Sequence, residues 1–197
     1  MEIKPENIEE IFRALDLQIG ARGGKPIGLV VCGGTALAVL GLVIRTTKDV
    51  DVLGIALESK GRIQIKKIEK FPSWFEEAAK AVQRDFELMA GWINLGPGGL
   101  LDFGLPEGFE KRLEKRSYGK YLSVYYVSRL DQIHFKLYAA IDRDSYHVQD
   151  LVELKPTAEE ILQAAKWVLT QDVSEEFRIL LKEFLRSMGF ENVSKKI

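Results

Sequence analysis

The sequence predicts an α+β protein, in which a mixed β-sheet flanked by helices is followed by a helical C-terminal half. Three observations predict it. An apolar run at residues 29–32 ends in Gly33 and Gly34, continues through a short apolar segment to residue 42, and is followed by the strand-like stretch 49–53. The run YLSVYYV at 121–127 is rich in aromatic and β-branched residues and reads as a further strand. After Ser128 every periodic segment has helical spacing. Residues 1–128 are therefore expected to form an α/β core, and residues 129–197 a helical part packed on it.

Taken in order, Ile8, Ile11, Phe12 and Leu15 give residues 5–18 one apolar stripe and predict a helix. The breaker stretch ARGGKP at 21–26 delivers the chain to the first strand. A strand, a glycine turn, a helix and a second strand are expected over 28–57. Residues 58–70 read as a basic loop with some strand character, Ile63, Ile65 and Ile68 alternating with Arg62, Lys66, Lys67 and Lys70. Ser73, with Glu76 three residues on, is placed to cap a helix over 72–89. The segment 92–106 is broken by glycine and proline, and its apolar run at 100–103 is expected to form a third core strand carrying Asp102. A helical turn follows at 107–113. Helices are expected over 129–142 and 147–154, then from the Thr157–Glu160 capping box to about residue 169, and over 174–188 before Gly189; residues 192–197 read as a disordered tail.

Composition narrows the class. Hydrophobic residues make up 46% and charged residues 29% of the 197, as in an ordinary globular chain. Lysine and arginine number 28 against 29 acids, for a net charge of -1, so overall basicity does not point to nucleic acid. The single Cys32 excludes an intramolecular disulfide. With a charged start, MEIKPENIEE, and no apolar run near the ~18 residues that a membrane span needs, a cytoplasmic protein without a membrane partner is expected.

The chemistry concentrates between residues 29 and 54. In an extended strand alternate residues share a face, so Asp49 and Asp51 project together while Val50 and Val52 face the other way. Two carboxylates on one face repel unless a cation joins them, and a hard divalent ion suits oxygen ligands. Gly33 and Gly34, following a buried strand, can bring backbone N–H groups close to a phosphate; a tight strand-to-helix turn is the bland reading of the same pair.

Gly33-Gly34-Thr35 followed at this spacing by Asp49-x-Asp51 resembles the signature of the nucleotidyltransferase superfamily. The surrounding GGTAL and RTTKDVDV are similar to its small branch of AbiEii-like proteins, toxins of toxin–antitoxin systems. The resemblance implies a nucleotidyltransferase-like mixed sheet and a Mg²⁺-dependent transfer of an NMP from a nucleoside triphosphate to a hydroxyl of an RNA or protein acceptor, with one or two ions and an antitoxin partner. It implies that Asp49 and Asp51 bind metal, that Gly33, Gly34 and Thr35 contact phosphates, and that a third carboxylate on a neighbouring strand completes the set, for which Asp102 is the candidate. Arg45, four residues before Asp49, would neutralise phosphate or pair with the aspartates; a surface linker charge is the alternative.

A looser likeness covers residues 136–154, where Lys136, Arg143 and Asp150 recur every seven residues, a spacing that puts them on one face if helical register is kept. The resemblance gives Lys136 a triphosphate contact and Asp150 an orienting or acceptor-binding role; a solvated face or salt-bridge ladder is the plain alternative. His134 and His147, the only histidines, lack zinc-ligand spacing. Lys111, Arg112, Lys115, Arg116 and Lys120 read first as a charged helix face and second, with the tyrosines at 118, 121, 125 and 126, as a path for RNA. Two further functions stay open: a non-catalytic relative that binds nucleotide or partner, and a small-molecule nucleotidyltransferase of the antibiotic-modifying kind.

Overall fold

The computed structural model describes residues 2–143 and 146–197. The chain divides into two compact units, one of residues 1–102 and 108–128, the other of residues 103–107 and 129–197. The protein is α+β, with a mixed sheet flanked by helices and a helical C-terminal half.

In the first unit, a 3-10 turn Pro5–Asn7 leads into α1 (Ile8–Ala21). The order continues with β1 (Ile27–Cys32), α2 (Gly33–Val39), β2 (Val50–Ser59), β3 (Arg62–Lys66), α3 (Ser73–Asp85), β4 (Ile93–Asn94), β5 (Glu114–Ser117) and β6 (Leu122–Tyr126). The sheet runs β3-β2-β1-β6-β5, with β4 added beside β2. β1 is antiparallel to β2 and parallel to β6, and β4 is parallel to the start of β2. One stripe of α1 (Ile11, Phe12, Leu15, Ile19) and one of α3 (Phe75, Ala79, Val82) join Leu29, Val31, Val52, Val124 and Tyr126 in a single buried core. Burying each such side chain stabilises the fold by about 1.5–3 kcal/mol, and this fixes which face of β1 and β2 looks inward. The buried carboxylate of Asp16 on α1 accepts hydrogen bonds from the backbone N–H groups of Tyr121 and Leu122 at 2.6 and 2.7 Å, pinning the turn between β5 and β6.

The second unit holds α4 (Arg129–Arg143), α5 (Tyr146–Glu153), α6 (Ala158–Gln171), α7 (Glu175–Ser187) and α8 (Glu191–Ser194). Thr157 and Glu160 form the expected capping box at the start of α6, and Ser174 caps α7. Trp167 packs on Phe135 and Tyr138, and its indole N–H donates to the carbonyl of Gly104 at 3.0 Å, which ties residues 103–107 to this unit. No helix among the described residues is long and apolar enough to cross a membrane.

Several local expectations are corrected. The run at 100–103 is not a strand: residues Gly96–Leu101 form a 3-10 helix with Asp102 at its C-terminal cap, because Gly96, Pro97, Gly98 and Gly99 favour turning over extension. The strand in this segment is the two-residue β4, just upstream. Pro72, not Ser73, occupies the cap position of α3, and its carbonyl accepts from the N–H groups of Phe75 and Glu76. Residues 62–66 complete a hairpin with β2. Lys115 and Arg116 lie on the edge strand β5, not on a helix; charged side chains there discourage pairing with other chains. The tail is not disordered throughout: α8 buries Val193 and Ser194.

Candidate functional site

The sequence Cys32-Gly33-Gly34 turns the chain from β1 into α2. Gly33 has φ +66°, a left-handed conformation that costs other residues about 1–2 kcal/mol. Space demands glycine there as well, since a Cβ at Gly33 would collide with Oδ2 of Asp51. The glycine turn and the acidic strand are therefore packed directly on each other. At Gly34 a Cβ would stand 2.8 Å from Oγ1 of Thr47 and 3.1 Å from Nη2 of Arg45, so the guanidinium of Arg45 lies over the second glycine.

Asp49 and Asp51 are half-buried, while Val50 and Val52 between and after them are buried, as strand alternation requires. The strand entry is held by hydroxyls: Thr35 and Thr47 both donate to the carbonyl oxygen of Asp49, at 2.9 and 3.1 Å. Thr35, expected among the phosphate contacts, is fully buried, and its hydroxyl ties α2 to the acidic strand. Thr47 is fixed in turn by a two-way backbone bridge to Ile3.

The residue that sequence reasoning missed is Asn94. Parallel pairing of β4 with β2 sets it directly opposite Asp51. Its Nδ2 lies 3.3 Å from Oδ2 of Asp49 and 3.4 Å from Oδ1 of Asp51, so the two carboxylates face one point. Its Oδ1 accepts the N–H of Gly96 at 2.8 Å. That bond sets the amide's orientation, because the flipped form would oppose two N–H groups and aim an oxygen at two carboxylates. Two β residues are too few to give a periodic signal; what could have found Asn94 is an Asn two positions before a glycine at the start of a Gly/Pro-rich turn.

Gly33, Gly34, Thr35, Arg45, Asp49, Asp51 and Asn94 thus form one connected group. Asp102 does not take part in these contacts: both of its carboxylate oxygens accept from Nζ of Lys67 at 2.8 Å. Among the described residues no three His, Cys, Asp or Glu side chains are gathered so as to hold a metal ion.

Lys136 and Asp150 belong to the second unit. They lie on separate helices, α4 and α5, rather than on one continuous register, and pair with each other at 2.7 Å, the two side chains only 5% and 2% exposed. Nδ1 of His147 is 3.5 Å from the same ammonium, and the ring of Tyr146 lies 5.6 Å from it. The side chain of Arg143 lies outside the described residues. On the sheet, Lys115 and the hydroxyl of Tyr125 both donate to Oε2 of Glu58, at 2.7 and 2.8 Å, which hold that carboxyl below its ordinary range. Arg116 donates to the carbonyl of Val39 and stacks on Tyr126. These two cations have structural partners.

No curated protein and no solved structure matches the chain. One family does, over residues 6–179, described as nucleotidyltransferase of unknown function (DUF6036). A match of that length, spanning the glycine turn packed against Asp51 and the helices beyond, means that the chain belongs to this nucleotidyltransferase family.

Proposed function

We propose that the protein moves an NMP from a nucleoside triphosphate to a hydroxyl of an RNA or protein acceptor, with Asp49 and Asp51 holding Mg²⁺. The observation that carries the reading is the direct packing of the Gly33 turn on the Asp51 carboxylate. It brings a glycine turn, the kind of backbone that can approach a phosphate, next to a pair of acids facing one point. The donor set fits the ion: Mg²⁺ is commonly held by one or two carboxylates, with phosphate oxygens and water completing its shell. Bound there, Mg²⁺ would neutralise triphosphate charge and polarise the phosphoryl group under attack.

The chain's own residues supply the rest. Gly33 and Gly34 offer the backbone N–H groups of the turn to phosphate oxygens. Arg45, placed over Gly34, offers a planar guanidinium to the same oxygens, a geometry in which charge-assisted bonds can be paired. Thr35 and Thr47 hold the backbone of Asp49, and Asn94 aligns both acids. Asp102, engaged by Lys67, is left out of the metal set. Lys136 is assigned to the triphosphate and Asp150 to its orientation. The likeness to the AbiEii-like branch extends the proposal to a toxin restrained by an antitoxin protein.

The test is transfer itself. The protein is incubated with each α-labelled triphosphate, Mg²⁺, and total RNA or cell lysate. Label in RNA or protein is the expected result, and Asp51→Asn should lower it at least about 100-fold with the fold retained. Label only in small metabolites would instead identify an antibiotic-type enzyme. The second reading, a non-catalytic nucleotide- or partner-binding relative, is favoured by one observation, an amide where a third acid would complete the cluster. Nucleotide binding without transfer to any acceptor would select it.

A further inference from the structure

We infer that Asn94 sets the metal content of this site. Its amide aligns Asp49 and Asp51 on a common point, and an amide in place of an acid on β4 restricts the site to one divalent cation. The inference rests on the reading of the two aspartates as metal ligands and adds the number of ions and the residue that determines it.

Register comes first. Asn94 pairs with Asp51 across a parallel ladder, so the two side chains leave the sheet on the same face. With Asp49 two residues upstream, just ahead of β2, three side chains are offered to one point, two anionic and one neutral. The distances of 3.3 and 3.4 Å describe long, weak hydrogen bonds. They suffice to orient two carboxylates that repel each other, yet give way readily to a dication.

Charge comes second. Two carboxylates balance one divalent ion. Two ions about 3.5–4 Å apart, clamping the entering and leaving oxygens, would have only these two carboxylates to share beside the triphosphate, unless a further protein ligand joined them. Among the described residues no third acid joins the pair. The acid expected in that role, Asp102, is held by Lys67. The amide of Asn94 is also turned the wrong way to serve as a ligand, since its oxygen is bonded to the N–H of Gly96. One consequence concerns the acceptor: position 94 offers no carboxylate to receive the hydroxyl proton.

The experiment counts Mn²⁺ bound per chain by electron paramagnetic resonance, with a saturating mixture of the four α,β-methylene nucleoside triphosphates. The natural protein should bind one ion. Asn94→Asp should bind a second, or bind the first at least tenfold more tightly. Asn94→Ser removes the amide without adding an acid and should keep one ion at severalfold weaker affinity. Two ions on the natural protein would overturn the inference. So would an Asn94→Asp variant that is folded by circular dichroism and has unchanged stoichiometry and affinity. If Asn94→Asp does not fold, an Asn94→Ser variant with unaltered affinity overturns it. Asp51→Asn distinguishes failure of the aspartate ligands from failure of the Asn94 role: Mn²⁺ binding unaffected by that change would remove the aspartates as ligands altogether, whatever Asn94 does.

Discussion

At the scale of single residues, Gly33 carries two independent demands, a left-handed φ and the absence of any atom between its backbone and Asp51. The demands can be separated. Gly41 has nearly the same φ, +67°, but a Cβ there meets nothing within 4 Å. Gly41→Ala should therefore cost only the conformational penalty, about 1–2 kcal/mol in urea unfolding. Gly33→Ala should cost more by the collision, and the excess should shrink when Asp51 is also cut back to Ala, which removes the oxygen struck. Equal costs for the two single variants would mean that the turn yields and the packing on Asp51 is not tight. Gly33, Gly34, Asp49 and Asp51 were legible in the sequence because a turn that needs glycine and a period of two along a strand both leave marks in the order of residues. Asn94 was not legible, because its role arises from a pairing between strands distant in the chain. Asp102 misled for the opposite reason: its apolar neighbours look like a strand, while the glycines before them had already turned the backbone.

At the scale of elements, the helical unit is organised by its ends as much as by its apolar stripes. Arg129, at the start of α4, donates to the carbonyl of Leu154 just past α5 and pairs with Glu160 of the α6 capping box at 2.6 Å. Glu160 is thereby joined to the beginnings of two helices. The hydrogen bond from Arg129, followed by that from the Thr157 backbone, holds its carboxyl below the usual value of 4.5. A carboxyl lowered in the folded state contributes stability above its unfolded value and loses it as pH falls through the folded one. The melting temperature of the natural protein should therefore exceed that of Glu160→Gln at pH 6, and the gap should close as pH drops below about 4.5. A gap independent of pH would place the effect in packing and not in charge. The capping box itself was readable, as Thr157 and Glu160 are local; the reach of Arg129 across 31 residues was not.

At the scale of the whole molecule, Lys136 tests whether the helical unit takes any part in the chemistry proposed for the sheet unit. The side chain is nearly buried and bound to a nearly buried Asp150, so removing either partner alone leaves an uncompensated charge, at a cost of about 3–5 kcal/mol. A loss of activity in Lys136→Met would then say nothing about nucleotide contact. Replacing both partners is different, because an apolar pair of similar volume is often neutral or stabilising. Lys136→Met combined with Asp150→Leu should therefore recover most of the stability lost by Lys136→Met, as read from urea unfolding followed by circular dichroism. If Lys136 meets the triphosphate, the double variant should be folded and still bind nucleotide at least tenfold more weakly, while retaining the Mn²⁺ affinity proposed for Asp49 and Asp51. If the ion pair serves only to hold α4 to α5, the double variant should bind nucleotide as the natural protein does. Lys136 and Asp150 would then mark a contact between two helices, with the nucleotide left to Arg45 and the glycine turn.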